Sequence, residues 1–202
     1  MYIVQVNNKK FNIILYLPIP LVFLGLVLVN FITTSDVNTE ELLQMIIDKF
    51  GTNLTFALMV GQLAFCCLVL LLWVKFIHGQ SITSLTTSRK KIDWKRVFFS
   101  FSVWGSFTAI TTLILYWLSP ESFVFNFEPD KFYPFLLLAI LLIPLQTSFE
   151  EYFFRAYLMQ GIGVVTKSRL IPLLITSVTF GLMHIANPEV GKLGMIIMVY
   201  YI

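Results

Sequence analysis

The 202-residue chain is 57% hydrophobic and only 12% charged, with a mean hydropathy of +0.83. Soluble domains carry about 25% charged residues, so this chain lacks the charge to clothe a water-facing surface, and the charge it has gathers between long apolar runs. A soluble globular domain is excluded. What remains is an all-α, polytopic transmembrane helical bundle, a single membrane domain over residues 1–202 whose surroundings are membrane lipid. No nucleic-acid partner is expected.

In chain order, Lys9 and Lys10 precede the uncharged run Phe11–Ser35. This run is too long for a signal-peptide core and no small-residue cleavage site follows it, so it reads as a retained first span. Gly51–Val74, Val97–Ser119, Phe132–Phe149 and Leu170–Pro188 follow as four more. Leu193–Ile202 covers roughly half of a ~30 Å hydrocarbon core and reads as a truncated sixth. The expectation is therefore about five complete spans, in a chain missing its C-terminal part.

Loop charges alternate in sign. Lys9 and Lys10, and later the cluster Arg89, Lys90, Lys91, Lys95 and Arg96, are basic; the loops holding Glu40 and Glu41, and Glu121 and Glu128, are acidic. Lys and Arg mark the inner side, which puts the N-terminus and loop 78–96 in the cytoplasm. Thr39–Phe50 is amphipathic and is expected to lie along the outer interface, with Thr39 at its start. The stretch Ser81–Ser88 reads as loop, and the basic residues beside it as a topology signal. Cys66 and Cys67 point apart on a helix and read as buried thiols rather than a disulfide. His78, at the edge of the basic loop, reads as incidental.

Chemistry concentrates after the fourth span. Glu150, Glu151 and Arg155 interrupt a region otherwise uncharged from Phe132 to Thr166. Three unpaired charges at the bilayer centre cost roughly 7–10 kcal/mol on insertion scales, so pairing, water or an interfacial position must offset that. Glu151 and Arg155 stand at i and i+4 in the favourable order for a helical ion pair. Glu150 faces another way, beside Phe153 and Phe154, an apolar setting suited to a general base. Ser148 and Glu151 also fit a capping box, which predicts a fresh helix after a Pro144 kink and leaves open that the acids simply cap a helix at the interface.

The fifth span carries Phe180 and His184 at i and i+4, with Gly181 allowing close helix approach and Asn187-Pro188 as a helix stop. Taken alone, His184 serves equally as a structural hydrogen-bonder or as a catalytic group. No His-Glu-x-x-His, no Gly-x-Ser-x-Gly and no pair of intramembrane aspartates occurs. The costly polar groups are expected to converge on one shared wet pocket.

Glu150-Glu151-x-x-x-Arg155 on one helix, then Phe180-x-x-x-His184 on the next, resembles the first two motifs of the CAAX-protease and bacteriocin-processing (CPBP, or Abi) intramembrane proteases. The resemblance divides the chain into N-terminal spans, 1–130, and a partial protease core, 131–202. It implies an intramembrane endopeptidase acting on a peptide or membrane-protein substrate of CAAX or bacteriocin-leader type. Glu150 and His184 would activate a water, Glu151 and Arg155 would support them, and Phe180 and Asn187 would flank the site. The family's third motif, a histidine followed four positions later by Asn, falls beyond this sequence, so the segment by itself is expected to be inactive. A divalent metal such as zinc, held by Glu150 and His184, and metal-free water activation are both compatible with the resemblance. Two rivals stand beside it: a non-catalytic immunity or assembly protein on the same scaffold, and a small ion-coupled transporter. Glu150 near one end of its span and His184 roughly 21 Å along the next meet only if the motif helix continues past Glu150 or the Leu170 span starts deeper.

Overall fold

The computed structural model describes residues 12–34 and 38–185, together with Ile196 and Val199. Among them every regular element is helical: α1 (Pro18–Thr34), α2 (Thr39–Phe50), α3 (Thr52–Phe76), α4 (Ile82–Thr86), α5 (Trp94–Leu118), α6 (Pro129–Glu150), a π-helical stretch Glu151–Leu158, α7 (Met159–Thr166) and α8 (Leu170–Met183). Four stretches are long and apolar enough to cross a membrane: Ile13–Asn30, Thr52–Phe76, Trp94–Leu118 and Pro129–Thr166. This is a helical membrane protein. Its outward faces carry large apolar side chains such as Leu21, Phe101 and Trp117, which only lipid or a partner helix accommodates over so wide a surface.

Local chemistry starts and stops these helices. A short 3₁₀ turn, Ile13–Tyr16, is capped by Asn12, and Pro18 then opens α1 at a position where no N–H is needed. Helix α2 starts at Thr39 as expected, and its cap is Asn38: the Oδ1 accepts from Glu40 N–H at 3.1 Å, and the Nδ2 donates to Glu41 at 2.9 Å. Gly51, at φ +77°, breaks α2 from α3. The stretch expected as loop holds one helical turn, α4, because Ser81 Oγ accepts from Ser84 N–H and Leu85 is fully buried beneath it.

The fourth span departs most from expectation. Ser148 does not cap a new helix; α6 runs through it. The N–H of Glu151, which such a cap would bind, is already bonded to the carbonyls of Thr147 and Ser148. The irregularity falls one step later, where the π-helical stretch inserts an i→i+5 register and passes directly into α7. At Lys167, with φ +52°, the chain turns left-handed. Ser168 Oγ accepts from Leu170 and Ile171 N–H, and α8 returns against α7 and the π stretch.

The fifth predicted span is shorter than expected. Its helix, α8, has 14 residues, roughly 21 Å, and closes where His184 N–H bonds Gly181 O at 2.9 Å and Ile185 N–H bonds Leu182 O at 3.2 Å. The described residues therefore hold four full-length spans and one short apolar helix. Asn187-Pro188 and, apart from Ile196 and Val199, the run 193–202 lie outside them.

Helices α3 and α6 pack along their length and run parallel. At their starts Asn53 Nδ2 donates to Lys131 O at 2.9 Å; near their ends Trp73 and Phe149 wall the same apolar groove. The core sits at this second end. Cys67, Leu70 and Val74 of α3 meet Phe149, Phe153, Phe154 and Tyr157. Lipid removes the hydrophobic drive between helices, so close packing and hydrogen bonds must hold them. Phe23 supplies the first, with ring centroids 4.7 Å from Phe153 and 5.3 Å from Phe149; such pairs contribute about 0.5–1.5 kcal/mol each.

The second comes from a polar network. Trp73 Nε1 donates to Leu15 O at 3.0 Å. The Tyr157 hydroxyl lies 3.3 Å from the carbonyls of Leu15 and Tyr16 and 3.2 Å from His78 Nε2. Gln80 Nε2 donates to the fully buried Gln160 at 3.0 Å. His78 is thus a structural joint rather than an incidental loop residue. Half-buried, its ring is 4.2 Å from that of Tyr16, and burial lowers its pKa.

Candidate active site

Glu150 is the last residue of α6. One turn earlier, Gln146 donates its side-chain N–H to Glu150 Oε1 at 2.5 Å. Sequence reading passed over Gln146, although a lone amide four positions before a carboxylate in an apolar run was a readable signal. Glu151 opens the π-helical stretch and pairs with Arg155, as the spacing predicted. Both side chains of this pair are about half exposed, 54% for Glu151 and 49% for Arg155, so the two charges avoid most of the penalty of burial.

His184 comes to this region because the motif helix continues past Glu150. The residues Glu150 and His184 stand equally far along the chain from the turn at Lys167, so folding α8 back returns His184 toward the level of Glu150. The two are within electrostatic reach of each other. His184 Nδ1 lies 2.8 Å from Phe180 O. A carbonyl only accepts, so Nδ1 carries the hydrogen, and in the neutral ring Nε2 carries the lone pair. Phe180 is a hub. Its ring is 4.5 Å from the His184 ring, 5.4 Å edge-on from Phe154, and has the Arg155 guanidinium 5.0 Å over its face.

A cavity of about 620 Å³ between the α4 turn and the motif helix is lined by Thr87, Ser88, Ser148, Glu151 and Arg155 among others, and neither Glu150 nor His184 lines it. Successive residues on a helix point in different directions, so Glu151 opens onto this cavity beside α4 while its neighbour Glu150 does not line it. Arg155, reaching from Glu151 to the face of Phe180, connects the two sides. Asn187 lies outside the described residues.

Glu150 and His184 supply two donors for a metal, and the carboxylate of Glu151 is committed to Arg155. Among the described residues no group of three or more His, Cys, Asp or Glu side chains is placed to hold an ion, whereas catalytic zinc takes three protein ligands. The described residues thus supply two of the three protein donors that a catalytic zinc takes.

Residues 129–202 match the family of type II CAAX prenyl endopeptidases, Rce1-like. The resemblance to CPBP proteases holds. The Rce1-like segment begins at the first residue of α6 and takes in Gln146, Glu150, Glu151, Arg155, Phe180 and His184. The chain is also 35% identical, over 120 residues, to the uncharacterized protein YyaK of Bacillus subtilis (strain 168), a match covering 59% of this chain and 40% of YyaK. It thus spans less than half the length of that relative. No solved structure matches.

Proposed function

We propose that the Rce1-like segment is the core of an intramembrane endopeptidase that hydrolyses a peptide bond in a membrane-associated substrate, of CAAX or bacteriocin-leader type. The observation that carries this reading is the return of α8 against the motif helix, with the Phe154 and Phe180 rings 5.4 Å apart; it brings Glu150 and His184 within electrostatic reach, each bonded within its own helix, to Gln146 on one side and the Phe180 carbonyl on the other.

In this reading a water sits between the two side chains. Glu150 accepts a proton from it as general base, while the lone pair on His184 Nε2 accepts the water's second hydrogen and aims its oxygen. The oxygen adds to the scissile carbonyl carbon. The proton held by Glu150 then passes to the leaving amine nitrogen as the C–N bond breaks, which returns the carboxylate to its starting state. Glu151 and Arg155 act as positioning residues through Phe180. The excess of Lys and Arg in the basic loop 78–96, next to this end of the spans, supports a site toward the cytoplasmic side.

The test is cleavage by the native protein in proteoliposomes. Glu150→Gln removes the base and keeps the shape, and is expected to lower the rate by about 10²–10⁴-fold with an unchanged melting temperature. Cleavage at the wild-type rate rejects the assignment.

A further inference from the structure

We propose that the 620 Å³ cavity beside the motif helix binds the phosphate headgroup of an anionic phospholipid. This inference concerns binding and stands apart from the protease reading.

The cavity is polar on both sides. Thr87 and Ser88 form one wall; Ser148 and Arg155 stand on the other. Its volume falls within the range of about 300–1,000 Å³ common to small-molecule sites. Glu151 also lines it. That carboxylate is neutralised by Arg155, which has five N–H donors and spends only part of them on the pair. Hydroxyls and a guanidinium together are the donors a phosphate oxygen requires.

The charge around the mouth favours an anion. Ser88 is followed directly by Arg89, Lys90 and Lys91. Arg89 and Arg96 both pair with Asp93. Lys90 and Lys91 are exposed and make no ion pair among the described residues. The local excess is therefore positive and beside the cavity.

The height is that of headgroups. The wall containing Thr87 and Ser88 belongs to the connection between the end of α3 at Phe76 and the start of α5 at Trp94. A charged connection between two spans lies at the membrane–water boundary, where Lys and Arg gain from anionic lipid. Thr86 Oγ1, 2.9 Å from the Tyr152 hydroxyl, ties this wall to the motif helix. A headgroup in the cavity would therefore touch Arg155, the residue stacked on Phe180, and through it the turn that holds His184.

The test uses the purified chain in neutral detergent, titrated separately with short-chain phosphatidylglycerol, short-chain phosphatidylcholine and inorganic phosphate while thermal unfolding is followed. Phosphatidylglycerol is expected to raise the melting temperature saturably, and phosphatidylcholine to leave it unchanged. The half-saturating concentration should rise about tenfold or more in Lys90→Gln/Lys91→Gln, whose side chains are exposed and outside the ion pairs of the described residues, and in Thr87→Val/Ser88→Ala. An equal response to phosphatidylcholine, or unchanged half-saturation in both variants, overturns the proposal. A rise of the same size with inorganic phosphate alone overturns the lipid assignment and makes the occupant a soluble phosphate.

Discussion

Gln146 reaches across one turn of α6 and holds Glu150 by a 2.5 Å hydrogen bond, so the carboxylate is oriented from within its own helix. Catalytic geometry depends on such second partners, and small misplacements are costly: about 1 Å can lower a rate roughly 100-fold. Gln146→Leu, similar in size but without the donor, is expected to reduce kcat of the native protein by about 10- to 100-fold at little-changed KM. Steady-state kinetics in proteoliposomes measure both. An equal rise in KM with intact kcat would assign Gln146 to substrate binding instead.

The ion pair between Glu151 and Arg155 should contribute little to stability despite its place in a membrane protein. Both partners are about half exposed, and exposed pairs couple by about 0.2–1 kcal/mol. A double-mutant cycle of Glu151→Gln and Arg155→Gln, read by unfolding in detergent, is expected to give coupling below about 1 kcal/mol. Arg155→Gln should cost more than Glu151→Gln, because it also loses the contact over Phe180.

Gly161 lets α7 lie against the N-terminal turn. A Cβ there would stand 2.7 Å from Tyr16 Cδ1 and 3.1 Å from Cε1. The Tyr16 ring has no room to swing, being stacked on Tyr157 at 4.7 Å and set against His78 at 4.2 Å. Gly161→Ala is expected to destabilise the fold by about 1–3 kcal/mol through overpacking, visible as a lower melting temperature. Combining it with Tyr16→Leu should recover part of the loss.

His78 should make stability depend on pH. Burial holds its folded-state pKa below the ordinary value of 6.5, so near and below that value the unfolded chain binds more protons than the folded one. Stability is then complete above pH 6.5 and falls as pH drops through the folded-state pKa. The melting temperature in detergent is expected to decline between pH 8 and pH 5, and His78→Gln should flatten that part of the profile. An identical decline in the variant would place the titration elsewhere.

What the sequence alone determined rests on local spacing. Apolar runs between charges located the four full-length spans, because the hydrocarbon core demands length and little else. The step from Glu151 to Arg155 was enough to predict their pairing, and the one-residue offset of Glu150 was enough to turn it another way. The same local logic misread Ser148 as a cap, since whether the Glu151 N–H is spare depends on the backbone around it. Only the tertiary structure decided that the motif helix continues through a π-helical stretch, that α8 folds back to bring His184 toward Glu150, and that Glu151 opens onto a cavity that Glu150 does not line. The joints responsible, such as Trp73 to Leu15, Tyr157 to Tyr16 and Gln80 to Gln160, link residues far apart along the chain. No periodicity encodes them: a buried polar atom must find a partner wherever packing supplies one.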